Sequence, residues 1–184
     1  RPLALVGIPT LVVVHRDLEQ IFANLMLLGR AVGEPDAARR TVAALQDRLA
    51  AVQARVAGQP PTRVFVEIGA NDRGALQTVR EGTYTADAIR LAGGANTFAG
   101  LAGITQVSAE AVLYADPDVI LVARDGFDPS SLARRPGWKG LRALASGRVH
   151  SVPRALLLVP GPRVVAGVER MADLLHPGKV SRSV

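Results

Sequence analysis

Beyond Gly58-Gln59-Pro60-Pro61 the sequence changes its hydrophobic period, and that change governs which folds are open to it. Before the stop, apolar residues step by three and four. After it they come as short runs. Val64-Phe65-Val66-Glu67-Ile68, Val119-Ile120-Leu121-Val122 and Arg148 to Val152 each read as a strand, with helical patterns between them. Strands this apolar are buried on both faces. Separated by helices, they predict a parallel-type sheet covered on two sides, a small Rossmann-like α/β lobe over residues 60–184.

The helices carry their own punctuation. Thr83 caps a helix running through Ala92, and Gly93-Gly94 ends it in a cap and turn. Ser108 caps Ala109 to Ala115, which Asp116-Pro117-Asp118 breaks. Asp128-Pro129 is an N-cap with proline at the first helical position, opening a helical stretch that reaches Ala145. Gly161-Pro162 starts the last helix, with Val165, Val168, Met171, Ala172 and Leu175 on one face. Gly69 to Gly82 reads as a loop.

Upstream of the stop, Asp17 caps a helix whose Leu18, Ile21, Leu25, Leu28 and Val32 recur at helical spacing, and Gly33 ends it. A second helix is expected from about Asp36 to Val56, with Val42, Leu45, Leu49, Val52 and Val56 in one stripe. At 1.5 Å per residue it spans about 30 Å. Leu11-Val12-Val13-Val14 reads as a buried strand without partners nearby in sequence. A lone strand is unstable, so it is expected to pair within another domain.

Composition removes several classes. Apolar residues make up 48% of the 184, enough for a core. No run of about 18 apolar residues occurs, so no transmembrane helix is expected. The net charge of +6 comes almost wholly from arginine, scattered along the chain and without interleaved aromatics, which argues against a nucleic-acid surface. There is no cysteine, hence no disulfide and no thiolate metal site.

Catalytic signals are poor. The glycines from Gly93 to Gly103 follow a helix, whereas a phosphate loop lies between a strand and a helix N-terminus. His15, His150 and His176 lack partners at ligand spacing, so no metal site is expected. No nucleophile-elbow motif marks a triad. The chemistry inventory is poor.

Several segments in order resemble one family. Leu18-Glu19-Gln20-Ile21-Phe22-Ala23-Asn24 through Leu28-Gly29-Arg30 opens the series. Gly82-Thr83-Tyr84 and Leu91-Ala92-Gly93-Gly94-Ala95-Asn96-Thr97-Phe98 follow, then Gln106-Val107-Ser108-Ala109-Glu110 and Asp116-Pro117-Asp118-Val119-Ile120. Arg135-Pro136-Gly137-Trp138 and Pro160-Gly161-Pro162-Arg163 complete it. Together they resemble the periplasmic substrate-binding proteins of ABC importers for cobalamin, haem and ferric siderophores. The resemblance implies two α/β lobes joined by one long helix, with a metal chelate held between them. Residues 1–16 would be the last strand of an N-terminal lobe otherwise absent from this sequence, 17–59 the connecting helices including the strut, and 60–184 the C-terminal lobe. A signal peptide or lipoprotein cysteine would lie upstream, and the protein would be an extracytoplasmic monomer without an intrinsic cofactor. A chelatase-like or nitrogenase-like enzyme, or a cytoplasmic sensor, would share the architecture.

The resemblance also implies site residues. Glu110 would dock onto arginines of the inner-membrane permease, from a helix first turn where the dipole favours negative charge. Three segments would face the ligand: Gln77, Thr78 and Arg80; Ile104 and Thr105; and the loop from Arg154 through Leu156 to Val159. Loops at the carboxyl ends of strands form the crevice in such sheets. Ile104 stands where cobalamin binders carry a tryptophan, and Leu156 to Val159 is aliphatic. The wall would therefore be greasy, with Arg80 and Arg154 as anion partners.

Overall fold

The computed structural model describes residues 5–71, 74–101 and 105–178. Two helices lead in. The first, α1 (Leu18–Ala31), begins where the Asp17 side chain accepts from the Gln20 amide. The second, α2 (Pro35–Val56), opens with proline in its first turn and runs 22 residues. Between them the backbone turns at Gly33, which has φ of +79°. The two helices cross closely at Gly29, where an added Cβ would lie 2.3 Å from the Ala38 Cβ.

The sheet is built on β1 (Thr62–Ala70), the longest strand. On one side β1 pairs in parallel with β5 (Val119–Val122), and β5 with β6 (Val149–Ser151). On its other side two short strands share its length. β3 (Gly94–Asn96) pairs in parallel with Thr62–Val64, and β2 (Leu76–Thr78) pairs antiparallel with Glu67–Ala70. A two-residue β4 (Gln106–Val107) extends the β2 edge. The parallel core matches the expectation, but the sheet is mixed. Gly69–Gly82 is not all loop, and the turn expected at Gly94-Ala95-Asn96 is a strand. Two- and three-residue strands exist only through the long neighbour that pairs them.

Period-two alternation divides the core into two layers. Val64 and Val66 of β1 and Val119 and Leu121 of β5 face a cluster containing Leu18, Ile21, Leu45, Leu49 and Val52. The same cluster takes Ala88 and Ile89 of α3 (Tyr84–Leu91) and Val165, Val168, Met171 and Leu175 of α7 (Arg163–Leu175). Phe65, Ile120 and Val122 face the other way, towards Val112 of α4 (Ala109–Ala115), Leu132, Trp138 and Ala143 of α5 (Arg142–Ala145). The helix α2 is thus part of the lobe's own core along its stripe. A bidentate Arg48–Glu169 ion pair and a single Arg55–Asp173 contact fasten it to α7.

Three further expectations need correction. Residues 11–14 form no strand. Val12 is 82% exposed, and the segment is held through Asn24, whose Nδ2 donates to the Val14 carbonyl at 2.7 Å. No described strand lies beside it, so its backbone has no ladder to join. The stretch from Pro129 to Ala145 is not one helix. It divides into two 3₁₀ turns (Pro129–Arg134 and Trp138–Gly140) and α5, because Pro136 and the positive-φ Gly137 interrupt it. Finally, Arg154–Val159 is not all loop: Arg154–Leu157 forms one helical turn, α6.

Candidate functional site

The parallel strands β1, β5 and β6 end at one edge of the lobe, and there the backbone opens. Glu67 and Gly69 of β1 register with Thr78 and Gln77 of β2, which leaves Ile68 as an extra residue, a bulge. The Ile68 carbonyl instead accepts from Arg154 Nη1 at 2.7 Å, and the Ala123 carbonyl beyond β5 accepts from the same nitrogen at 3.4 Å. Arg154 follows Pro153 at the end of β6, so its guanidinium bridges the ends of two strands from the third. A notch of about 190 Å³ forms here, lined by Glu67, Ile68, Gly69, Ala70, Val122, Ala123, Arg124 and Arg154.

Its charges are unequally committed. Glu67 is 2% exposed and takes a bidentate ion pair from Arg135 at 2.6 and 2.8 Å. The Arg135 guanidinium lies 4.6 Å from the centroid of the buried Trp138 ring. That pair ties the 3₁₀ segment to β1 and neutralises the carboxylate. Arg124 is different. Its carbonyl accepts from the Ser151 hydroxyl, its guanidinium sits 5.6 Å over the Phe127 ring, and among the described residues it joins no ion pair.

The expected ligand residues fall into groups. Arg154 reaches the notch. Gln77 is half-buried against Gly69, where an added Cβ would meet its Oε1 at 3.0 Å. Thr78 is 1% exposed and turns inward: its hydroxyl donates to the Val66 carbonyl at 2.8 Å and its amide to the Thr105 carbonyl at 2.7 Å. Its side chain serves the sheet. Thr105 and Arg80 are exposed, and Ile104 lies outside the described residues. Leu156 is half-buried, with its carbonyl where an added Cβ on Gly167 would come within 2.3 Å, and Val159 is 43% exposed.

Glu110 lies exposed in the first turn of α4, below the Ser108 cap. Its carboxyl is held below the usual range by its own backbone amide and by the Ser108 hydroxyl. Among the described residues it forms no ion pair. Tyr114, one turn further along α4, is 96% exposed.

The sequence reading passed over Arg124, Glu67 and Ile68. The signal for Arg124 was its place just past an apolar strand, where the rule about carboxyl ends applies. Glu67 stood out as a lone charge inside an apolar run. A larger depression of about 480 Å³ lies near the opposite strand ends, lined by Asp118, Arg142, Ala145, Ser146 and Arg148. Arg142 there is already paired with Asp116 and Asp118 at 2.6 and 2.9 Å, so that depression has less unpaired charge to offer. Among the described residues no cluster of three or more His, Cys, Asp or Glu side chains is placed to hold a metal ion. Nor is any described helix long and apolar enough to cross a membrane.

By fold the chain is a doubly covered α/β lobe with an open crevice at the carboxyl ends of its parallel strands. It belongs to the periplasmic binding protein family, whose model matches residues 3–156. An uncharacterized ABC transporter substrate-binding lipoprotein, YvrC of Bacillus subtilis, is 25% identical over 165 residues, covering 88% of this chain and 52% of that protein. A cobalamin-binding protein of Halobacterium salinarum is 32% identical over 173 residues, covering 87% of this chain and 45% of that one. The crystal structure of a periplasmic heme-binding protein from Pseudomonas aeruginosa superposes with a TM-score of 0.81 at 25% identity, over 96% of this chain and 67% of that one. The chain spans about half the length of these curated relatives.

Proposed function

We propose that this chain is the C-terminal part of the extracytoplasmic solute-binding component of an ABC importer. It forms one wall of a cleft that captures a metal chelate and hands it to an inner-membrane permease. A corrinoid is the first choice of chelate, with haem and ferric siderophores as the alternatives. The reading rests on family membership combined with the open crevice at the ends of β1, β5 and β6. The 32% identity to a cobalamin-binding relative supports the corrinoid, and the fold shared with a haem binder keeps haem in view. The work of such a lobe is to hold and release, and its polar groups at the crevice are suited to recognition rather than bond-making.

The N-terminal lobe would supply the facing wall, and residues 1–16, whose positions 11–14 form no strand in this chain alone, would join that lobe as its last strand. The exposed Val12 and Val14 support that placement, since apolar side chains at strand spacing are normally covered. Residues 17–59 would carry the connection between lobes and 60–184 the C-terminal wall. Because α2 is fastened to α7, it moves with this lobe, and any closure would bend the chain on its far side.

Docking would use Glu110. An exposed carboxylate with no ion pair among the described residues is available to an arginine across an interface, where the paired geometry is specific. Two measurements test the proposal. The visible spectrum and bound-ligand mass of full-length protein purified from its source would identify a corrinoid, haem or ferric chelate; a protein that takes up none of these contradicts the reading. Glu110→Arg is expected to abolish uptake while leaving chelate affinity within about twofold, and a matching loss of affinity would refute the docking role.

A further inference from the structure

We infer that the notch between the ends of β1 and β5 receives an oxyanion on the periphery of the chelate, a carboxylate or a phosphodiester, and that Arg154 and Arg124 hold it. The inference rests on the binding-protein reading above and narrows its ligand. Three observations carry it. The first is size: about 190 Å³ is too small for a macrocycle or a whole siderophore, and suits one substituent.

The second is charge. Glu67, the acidic residue that lines the notch, is neutralised by Arg135, so it does not offset the two arginines. Asp125, next to Arg124 in sequence, makes no ion pair among the described residues. Two guanidinium groups without an acidic partner among the described residues therefore line one small recess, beside a carboxylate already paired with Arg135. Elsewhere in the lobe, Arg48, Arg55, Arg135 and Arg142 each have an acidic partner.

The third is rigidity. The bulge at Ile68 frees the carbonyl that fixes Arg154, and the Phe127 ring supports Arg124. A guanidinium has five N–H donors, and among the described residues the hydrogen bonds of Arg154 run through Nη1. The remaining donors are left for a planar or tetrahedral oxyanion, which Arg matches in paired geometry. Held in advance, they need little ordering when the ligand arrives.

The test uses full-length protein and chelates matched in metal but differing in the anionic group. The pairs are haemin and haem dimethyl ester, cyanocobalamin and dicyanocobinamide, and ferric dicitrate and ferrichrome. Equilibrium titrations by absorbance or tryptophan fluorescence would be run on the wild type and on the Arg124→Gln/Arg154→Gln double variant, with circular dichroism as the check on folding. Expected is that, for the pair the protein accepts, the anionic member binds at least about tenfold tighter. The double variant should lose that preference while keeping affinity for the neutral member within about twofold.

Equal affinity within the accepted pair, or equal loss of both members in the variant, would overturn the inference and leave the binding-protein reading intact. Binding of none of the six chelates would overturn both. The accepted pair also separates a phosphodiester from a carboxylate as the source of the oxyanion.

Discussion

The two ends of the central sheet treat their charged groups in opposite ways. At the amino ends of the strands several charged groups pair within the lobe, although the buried Arg148 Nε has no hydrogen-bond partner among the described residues. Arg142 binds Asp116 and Asp118, Arg63 donates to the carbonyls of Ala115 and Asp116, and Arg148 Nη2 donates to the Leu175 carbonyl at 2.8 Å. The His176 ring meets the Gly93 carbonyl at 3.1 Å, closing the end of α7 against the turn after α3. At the carboxyl ends, by contrast, a bulge interrupts the ladder and two arginines stand without acidic partners among the described residues. One end is closed by internal pairing, and the other keeps its hydrogen-bonding capacity for something outside the lobe. The difference teaches where to look for function, because the depression at the closed end is larger than the notch yet its Arg142 is already paired.

Glu67–Arg135 is the exception at the open end, and it gives the sharpest test. Removing one partner of a buried ion pair strands the other in a low-dielectric site. Arg135→Ala is therefore expected to lower the unfolding free energy by about 3–5 kcal/mol in urea denaturation. A loss under about 1 kcal/mol would mean that Glu67 finds another partner and that the notch is not rid of its negative charge. A smaller effect is expected at Gly167, because α6 lies directly on α7 there. Gly167→Ala would push the Leu156 carbonyl away from a Cβ placed 2.3 Å from it, at a cost of about 1–3 kcal/mol. The same displacement should weaken chelate binding through Arg154, at the start of α6; unchanged binding would separate the helix from the crevice.

The closed end should answer to acid. The Asp116 carboxyl is held below its ordinary value chiefly by the Arg142 backbone amide, with the Arg142 side chain adding to it. A depressed carboxylate stabilises the folded state above its unfolded value of about 3.9, and that stabilisation is lost as pH falls through the folded value. Asp116→Asn should flatten the acid limb of the stability profile below about pH 4 without altering ligand affinity. A variant as acid-sensitive as the wild type would show the contact to be unimportant. Glu110 should matter least to folding: Glu110→Gln is expected to leave the urea midpoint unchanged, because the carboxylate is exposed and lies outside the core.

Much of the fold was legible because local signals and burial agree. The stripe on α2, the Asp17, Thr83 and Ser108 caps, and the run Val119–Val122 all stand where their patterns place them. β2, β3 and β4 were not legible. Each has two or three residues; β2 pairs with the adjacent β1 through an irregular register, and the pairing of β3 and β4 is decided by strands distant in sequence. Leu11–Val14 carried a strand pattern but no neighbouring strand to satisfy it. The break at Pro136-Gly137 was visible in the sequence and outweighed by the Asp128-Pro129 start signal.

At the site, position along the chain was informative and orientation was not. Arg154, which the resemblance put among the ligand-facing residues, follows a strand and reaches the notch. Thr78 also lies on a strand beside the crevice, yet its side chain faces inward and bonds Val66. Pleat and bulge set that direction, and a single-residue shift in register reverses it. Arg124 and Glu67 depended on knowing which charges are already matched, which is a property of the folded chain.

Hydrogen–deuterium exchange on full-length protein, compared without chelate and saturated with the one it binds, addresses the asymmetry of the sheet most directly. Within this lobe, slowed exchange is expected at 67–70, 122–125 and 153–157, while the amides around Asp118, Arg142 and Arg148 stay as they were. Protection centred on Asp118, Arg142 and Arg148, with the other edge unchanged, would place the ligand at the closed end and contradict the account.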